Sequence, residues 1–253
     1  MQHDFNTSIV HEVSHRPWPM PARPWIMTQT WHDLLFAHWP VDAKQLAARI
    51  PAEFELDVFD GQAWLGIVPF DMTNVSVRGL PALPWLSAFP ELNVRTYVRV
   101  EDKPGVYFFS LDAGNPIAVQ AARILLRLPY CWASMRVERS VTGVRYRSYR
   151  KGSGPSAELV ATYGPTGPVF NAQRGSLEYF LAERYCLYAR GHTGPYRLEI
   201  HHSPWPLQPA EAELEINSMA GPSGIRLPDV TPLLHFAKRQ DTVAWAPSRL
   251  GMR

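Results

Sequence analysis

Hydrophobic and polar positions alternate in short runs along much of the chain, and the alternation predicts a protein built mainly of β-strands. Glu91 to Val100 shows it most plainly, with Leu92, Val94, Thr96 and Val98 on one face and Glu91, Asn93 and Arg95 on the other. Val106 to Leu111 follows across Asp102-Lys103-Pro104-Gly105, a turn sequence, which predicts an antiparallel pair. Glu55 to Phe59 and Gln62 to Phe70 flank Asp60-Gly61, a dipeptide suited to a tight type I′ turn, so a hairpin is predicted there as well. Cys131 to Val137, Val144 to Arg150 and Glu158 to Tyr163 read as a meander turning at Thr142-Gly143 and at residues 151–154. Tyr185 to Ala189 and Tyr196 to His202 form a further hairpin, Ala212 to Ile216 and Thr242 to Trp245 are late strands, and Trp31 to Trp39 is a buried strand or short helix.

Helix signals are fewer. Asp42 caps a helix over Ala43 to Ile50, which Pro51 ends. Asn115-Pro116 opens a longer one over Ile117 to Leu128, apolar at Ile117, Ala121, Ile124, Leu125 and Leu128 and stopped by Pro129. Ser176 begins a short one to about Glu183. The proline-rich stretch Gly79 to Pro90 is read as a long ordered loop packed by Leu83, Trp85, Leu86 and Phe89. Residues 1–25 hold His3, His11 and His15 and four prolines without an amphipathic period, so they are read as an arm, loose or wrapped on a partner subunit, ahead of one domain over residues 26–253. Nine or ten strands with two or three helices predict a closed or nearly closed barrel or a sandwich.

Composition narrows the function classes. The charged fraction is 19% and the formal net charge +2, too little field to hold a phosphate backbone, so no nucleic-acid partner is expected. No apolar run is long enough for a membrane span, and the two cysteines, Cys131 and Cys186, form no CxxC, which together predict a cytoplasmic protein with neither disulfide nor zinc site. Only Lys44, Lys103, Lys151 and Lys238 are lysines, so the basic side chains are mostly arginines, which favour bidentate carboxylate pairing. Motifs of the GxSxG, Walker and GxGxxG types are absent. Neighbouring His201 and His202 would point to opposite faces of a strand, so no metal site and no cofactor are expected. The Glu91, Asn93 and Arg95 face offers an acid, an amide and a guanidinium to a barrel interior. Its structural alternative is an ion pair of Glu91 with Arg95 or Arg123.

The segments FDGQAWLGIVPFDM, LPALPWLSAFPELNVRTYV, GVYFFSLDAGNPIAVQAAR and LPY resemble the YqjF-like family of uncharacterised bacterial proteins, a branch of the acetoacetate decarboxylase-like superfamily. The likeness spans roughly Trp25 to Leu250 and implies a mainly β (α+β) fold, an antiparallel β-barrel or cone with a central cavity and two or three short helices. In the decarboxylases a lysine forms a Schiff base with a β-keto acid, after a helix ending in Arg-x-Leu-x-x-x-Pro. Here that pattern is Arg123, Leu125 and Pro129, and the lysine position is Tyr130, followed by Cys131. Tyrosine forms no iminium, so the resemblance implies a kept cavity without decarboxylation. The acidic position is Glu91, and His38-Trp39 stands where the decarboxylases carry an arginine. The leading expectation is a small-molecule binder for an organic acid or carbonyl metabolite, with Glu91 and Tyr130 as the chemically active pair and His38, Trp39, Trp64, Asn93, Arg95, Arg123 and Cys131 as ligand contacts. The alternatives are a lyase or hydratase using Glu91 as acid or base and Tyr130 as proton donor, and a homo-oligomeric scaffold using the arm and exposed aromatics.

Overall fold

The computed structural model describes residues 5–79, 86–141 and 143–251. In chain order the elements are β1 (Met27–Val41), α1 (Ala43–Ala47), β2 (Glu55–Leu56), β3 (Ala63–Val77), β4 (Phe89–Val100), β5 (Lys103–Ala113), α2 (Pro116–Leu125), β6 (Tyr130–Arg139), β7 (Val144–Arg150) and β8 (Glu158–Pro165). They continue with α3 (Leu177–Ala182), β9 (Cys186–Gly191), β10 (Gly194–His202), β11 (Leu207–Asn217), β12 (Leu233–Ala244) and β13 (Ser248–Arg249). All the strands belong to one sheet.

That sheet bonds to itself in two rings. Strands β12, β1, β3, β4 and β5 pair in succession as a shared wall. On one side β9 and β10 carry the ladder from β5 back to β12, through Val106 opposite Leu187 and Ile200 opposite Ala244. On the other side β6, β7, β8 and β11 do the same, from Leu111 opposite Tyr130 to Leu207 opposite Ala237. Because side chains alternate across a strand, the wall feeds one set of residues to each ring. Leu35, Ala37, Leu65, Ile67, Leu92 and Val94 meet Tyr146, Leu159, Ala161 and Tyr163 in a hydrocarbon core that fills the larger ring. The opposite faces of β1, β3 and β4 look into the smaller ring, where the core is interrupted by a cavity.

Local chemistry explains most element ends. Asp60 and Gly61 both have positive φ (48° and 77°), as the type I′ turn requires, and Phe59 bridges Gln62. The strand before this turn differs from the expected hairpin arm: only Glu55 and Leu56 are extended, and they pair with Arg99 and Val98 of β4 rather than with β3. The turn between β4 and β5 is Glu101-Asp102, both left-handed (φ 51° and 61°), so Lys103 to Gly105 belongs to β5 instead of the turn. Phe89 and Pro90 likewise open β4, while Leu83 and Trp85 of the expected loop, and Thr142 of the meander turn, lie outside the described residues. Strands β11 and β12 run well beyond the segments read from the sequence, because their pairing partners come from distant parts of the chain.

Two helices are shorter than expected, and one faces the other way. The first stops at Ala47, before Ile50. The second is capped by Asn115, whose Oδ1 accepts from the Ile117 and Ala118 amides, and it stops at Leu125 because Arg127 turns left-handed (φ 51°). Ile117, Ile124 and Leu125 are 52, 70 and 76% exposed, so the apolar stripe faces outward and Val119 alone of this helix is buried. Residues 5–26 are packed against the sheet: Ile9 and Trp25 join Val243 and Trp245, and Arg16 is buried against Glu199 at 3.4 Å.

Candidate acid-binding cavity

The shared wall places a polar row inside the smaller ring. Glu91, Asn93 and Arg95, at alternate positions of β4, all line a cavity of about 130 Å³ and are all buried. Backbone position is fixed from behind: the Tyr146 hydroxyl donates to the Glu91 carbonyl at 2.8 Å and to the Phe70 carbonyl at 3.2 Å.

Tyr130, the first residue of β6, enters beside this row through its parallel pairing with Leu111. Its hydroxyl donates to Glu91 Oε2 at 2.8 Å. Burial pushes the Glu91 carboxyl up to about 8, with the Tyr130 hydrogen bond pulling the other way and Asp112 adding slightly to the rise. At neutral pH Glu91 is therefore mostly a neutral carboxylic acid, able to donate a proton. Burial, reinforced by Glu91, holds the Tyr130 phenol well above its ordinary value.

Arg95 is the charged member. Its Nη2 donates to the Leu181 carbonyl at 3.1 Å and to the Tyr97 hydroxyl at 3.5 Å, and its guanidinium lies over the rings of Phe36 and Tyr97 at 5.4 and 5.7 Å. Its Nε is buried without a hydrogen-bond partner, as is Oδ1 of Asn93. No carboxylate among the described residues lies within ion-pair distance of it. The other guanidinium lining the cavity, Arg184, is paired with Asp57 at 2.7 Å. His202 also lines it; burial lowers its pKa, and its ring nitrogens face the carbonyls of Ser203 and Arg184.

Thus the structure brings together Glu91, Asn93, Arg95 and Tyr130 and sets the other candidates elsewhere. Neither ion pair considered for Glu91 forms, because Arg95 turns to Leu181 and Tyr97 and Arg123 donates through Nε to the Tyr130 carbonyl at 2.6 Å. His38 lies one layer behind the cavity wall, its Nε2 2.6 Å from the Tyr97 hydroxyl, and burial together with Arg95 keeps it neutral. Trp39 points into the hydrocarbon core of the larger ring, as the alternation of β1 requires. Trp64 packs near Tyr97 and Leu181, outside the cavity lining. Cys131 follows Tyr130 onto the opposite face, near the Asp112–Arg150 pair, and burial raises its thiol pKa. Sequence reasoning missed Arg184 and Trp205, which carry no motif, and weighed His202 only as a metal ligand; Arg184 meets its partner Asp57 across 127 positions of chain. Among the described residues no group of three or more His, Cys, Asp or Glu is arranged to hold a metal ion, and no helix is long and apolar enough to cross a membrane.

The fold has solved counterparts. The enduracididine biosynthesis enzyme MppR, solved in complex with pyruvate, superposes with a TM-score of 0.61 over 92% of both chains at 11% identity. An acetoacetate decarboxylase gives 0.60 over 96% of both chains at 14% identity. An acetoacetate decarboxylase-like enzyme from Sphingomonas wittichii RW1 gives 0.60 over 93% of this chain and 97% of that one at 15% identity. In sequence, the uncharacterized protein YqjF of Bacillus subtilis (strain 168) is 48% identical over 226 residues, 89% of this chain and 93% of that protein. Residues 28–241 match the DUF2071 family, described as an uncharacterized conserved protein (COG2071). The chain belongs to that family and carries the acetoacetate decarboxylase-like fold.

Proposed function

We propose that the cavity binds a small organic acid, its carboxylate on Arg95 and Asn93 and its carbonyl or hydroxyl oxygen toward the Glu91–Tyr130 pair. The observation that carries this reading is the buried Arg95 guanidinium, which has no carboxylate partner in the described chain and has its Nε unsatisfied. A buried cation without a counter-ion costs several kcal/mol, and a ligand carboxylate, which accepts in a bidentate geometry, removes that cost. The solved complex of MppR with pyruvate supports the reading at the level of fold, since pyruvate is an oxo acid of the proposed class.

No lysine lines the cavity among the described residues, so the ligand is held without an iminium. Decarboxylation is also disfavoured by Arg95, because a guanidinium stabilises the carboxylate that would have to leave as neutral carbon dioxide. A second reading, a lyase or hydratase, is favoured by Glu91: an acid with a pKa of about 8 beside a tyrosine hydroxyl is suited to donating a proton to a ligand oxygen near neutral pH.

The test is calorimetric titration with pyruvate, acetoacetate and the corresponding neutral amides, with product analysis by NMR. Carboxylates should bind and amides should not. Arg95→Met should weaken carboxylate binding at least roughly thirtyfold. Equal binding of acid and amide would sink the assignment. If any acid is turned over, Glu91→Gln should abolish turnover and leave binding in place.

A further inference from the structure

The lining beyond the polar row divides into two apolar sides that differ in what they leave uncovered. On one side Leu34, Phe36, Val68, Phe70 and Trp205 pack on one another and each keeps no more than 4% of its surface. On the other, Met27, Phe108, Leu126, Leu187 and Ile200 are only partly buried, although every one faces the cavity. These five form a continuous cluster with Leu111, Leu128, Leu198 and Ala244. It is built by strands that pair in register, Leu187 opposite Leu198 and both Met27 and Ile200 opposite Ala244. Free apolar surface inside the molecule is thus concentrated on the β5, β9 and β10 side, where Phe108 pairs with Arg95 of β4, and next to Tyr130.

From this we infer that the ligand is an amphipathic acid: a carboxylate on Arg95 and a short aliphatic tail of about one to three carbons laid along Phe108, Leu187 and Ile200. The inference rests on the acid-binding reading above and adds the tail. Volume keeps the tail short, because a cavity of about 130 Å³ is close to the roughly 150 Å³ apolar cavity that accepts benzene, so an acid of about six to eight non-hydrogen atoms is the limit. A three-carbon acid such as pyruvate satisfies the guanidinium and covers the leucine side with a single methyl group. A longer chain buries that surface and gains affinity with each methylene. Tail recognition here needs no hydrogen bond, so branched and straight chains of equal volume should be accepted alike.

The experiment is calorimetric titration with straight-chain 2-oxo acids from three to ten carbons, in parallel with the matching amides. Affinity should rise about three- to fourfold per methylene up to roughly five carbons and then fall as the cavity is exceeded. Ile200→Trp should move the break to shorter acids and Leu187→Ala to longer ones; the opposite shifts keep the test valid if one variant fails to fold. Acids that bind with no dependence on chain length would overturn the tail and leave Arg95 as anchor. Amides that bind as well as acids, or no binding by any acid, would overturn the anchor and the tail together.

Discussion

Arg95 and Glu91 share a face of one strand, and their electrostatic costs run in opposite directions. Arg95 keeps its charge in a buried place without a protein anion, so Arg95→Met should raise stability, or leave it unchanged, while binding of acids collapses. Urea unfolding paired with calorimetry separates these effects; a variant that loses both would make Arg95 a structural residue. Glu91 avoids its cost by holding a proton. Its folded pKa, about 8, lies above the unfolded value, so its contribution to stability is complete below about pH 4.5 and is lost as pH rises through 8. The loss is on the order of a few kcal/mol, and Glu91→Gln should flatten stability across that window. Tyr130→Phe should move the Glu91 titration higher still, because the phenol hydrogen bond lowers it; NMR of labelled glutamate carboxyls reads the shift directly. That Glu91, Asn93 and Arg95 share a face was legible from alternation alone. Which face looked into a cavity was not, since the answer depends on what packs behind Leu92 and Val94. The same alternation explains Trp39, whose side chain falls on the hydrocarbon side of β1 while Phe36 falls on the cavity side.

Turn chemistry told the elements apart well, and partners less well. Asp60-Gly61 makes its turn as the dipeptide demands, yet the segment before it pairs with β4, because a turn sets the geometry of a bend and not the length of the ladder that follows. The second helix shows a different failure. Its apolar spacing is real, but Ile124 and Leu125 face outward, and the chain uses Leu126 and Leu128, just beyond the helix, for the interior. Ile124→Gln and Leu125→Gln should therefore each change stability by less than about 0.5 kcal/mol in thermal unfolding, where a core position would lose several. Arg150 gives the contrasting expectation. Its Nε and Nη2 clasp Asp112 at 2.9 and 2.6 Å, tying β7 to the fully buried acid of β5. Arg150→Met leaves that carboxylate buried without its cation and should cost about 3–5 kcal/mol. Arg150→Lys should recover part of it.

At the scale of the whole molecule, the two rings depend on pairings that join residues far apart in the chain: β4 with β3 and β5 is local, but β1 with β12 and β5 with β9 are not. Strand and turn content were readable because they rest on local side-chain chemistry; ring closure was carried by the family resemblance, since no local signal names a partner some two hundred residues away. The shared wall has one more consequence. A strand between two interiors is written like a text in which alternate letters belong to different messages, so a substitution alters one word while an insertion shifts the frame of both. A single alanine placed between Leu92 and Asn93 would leave Glu91 on the cavity side but send the amide and guanidinium into hydrocarbon and present valine to the ligand. The same insertion in the exposed 151–154 turn should be silent in expression, melting and ligand affinity. Length, more than identity, is what this wall cannot vary.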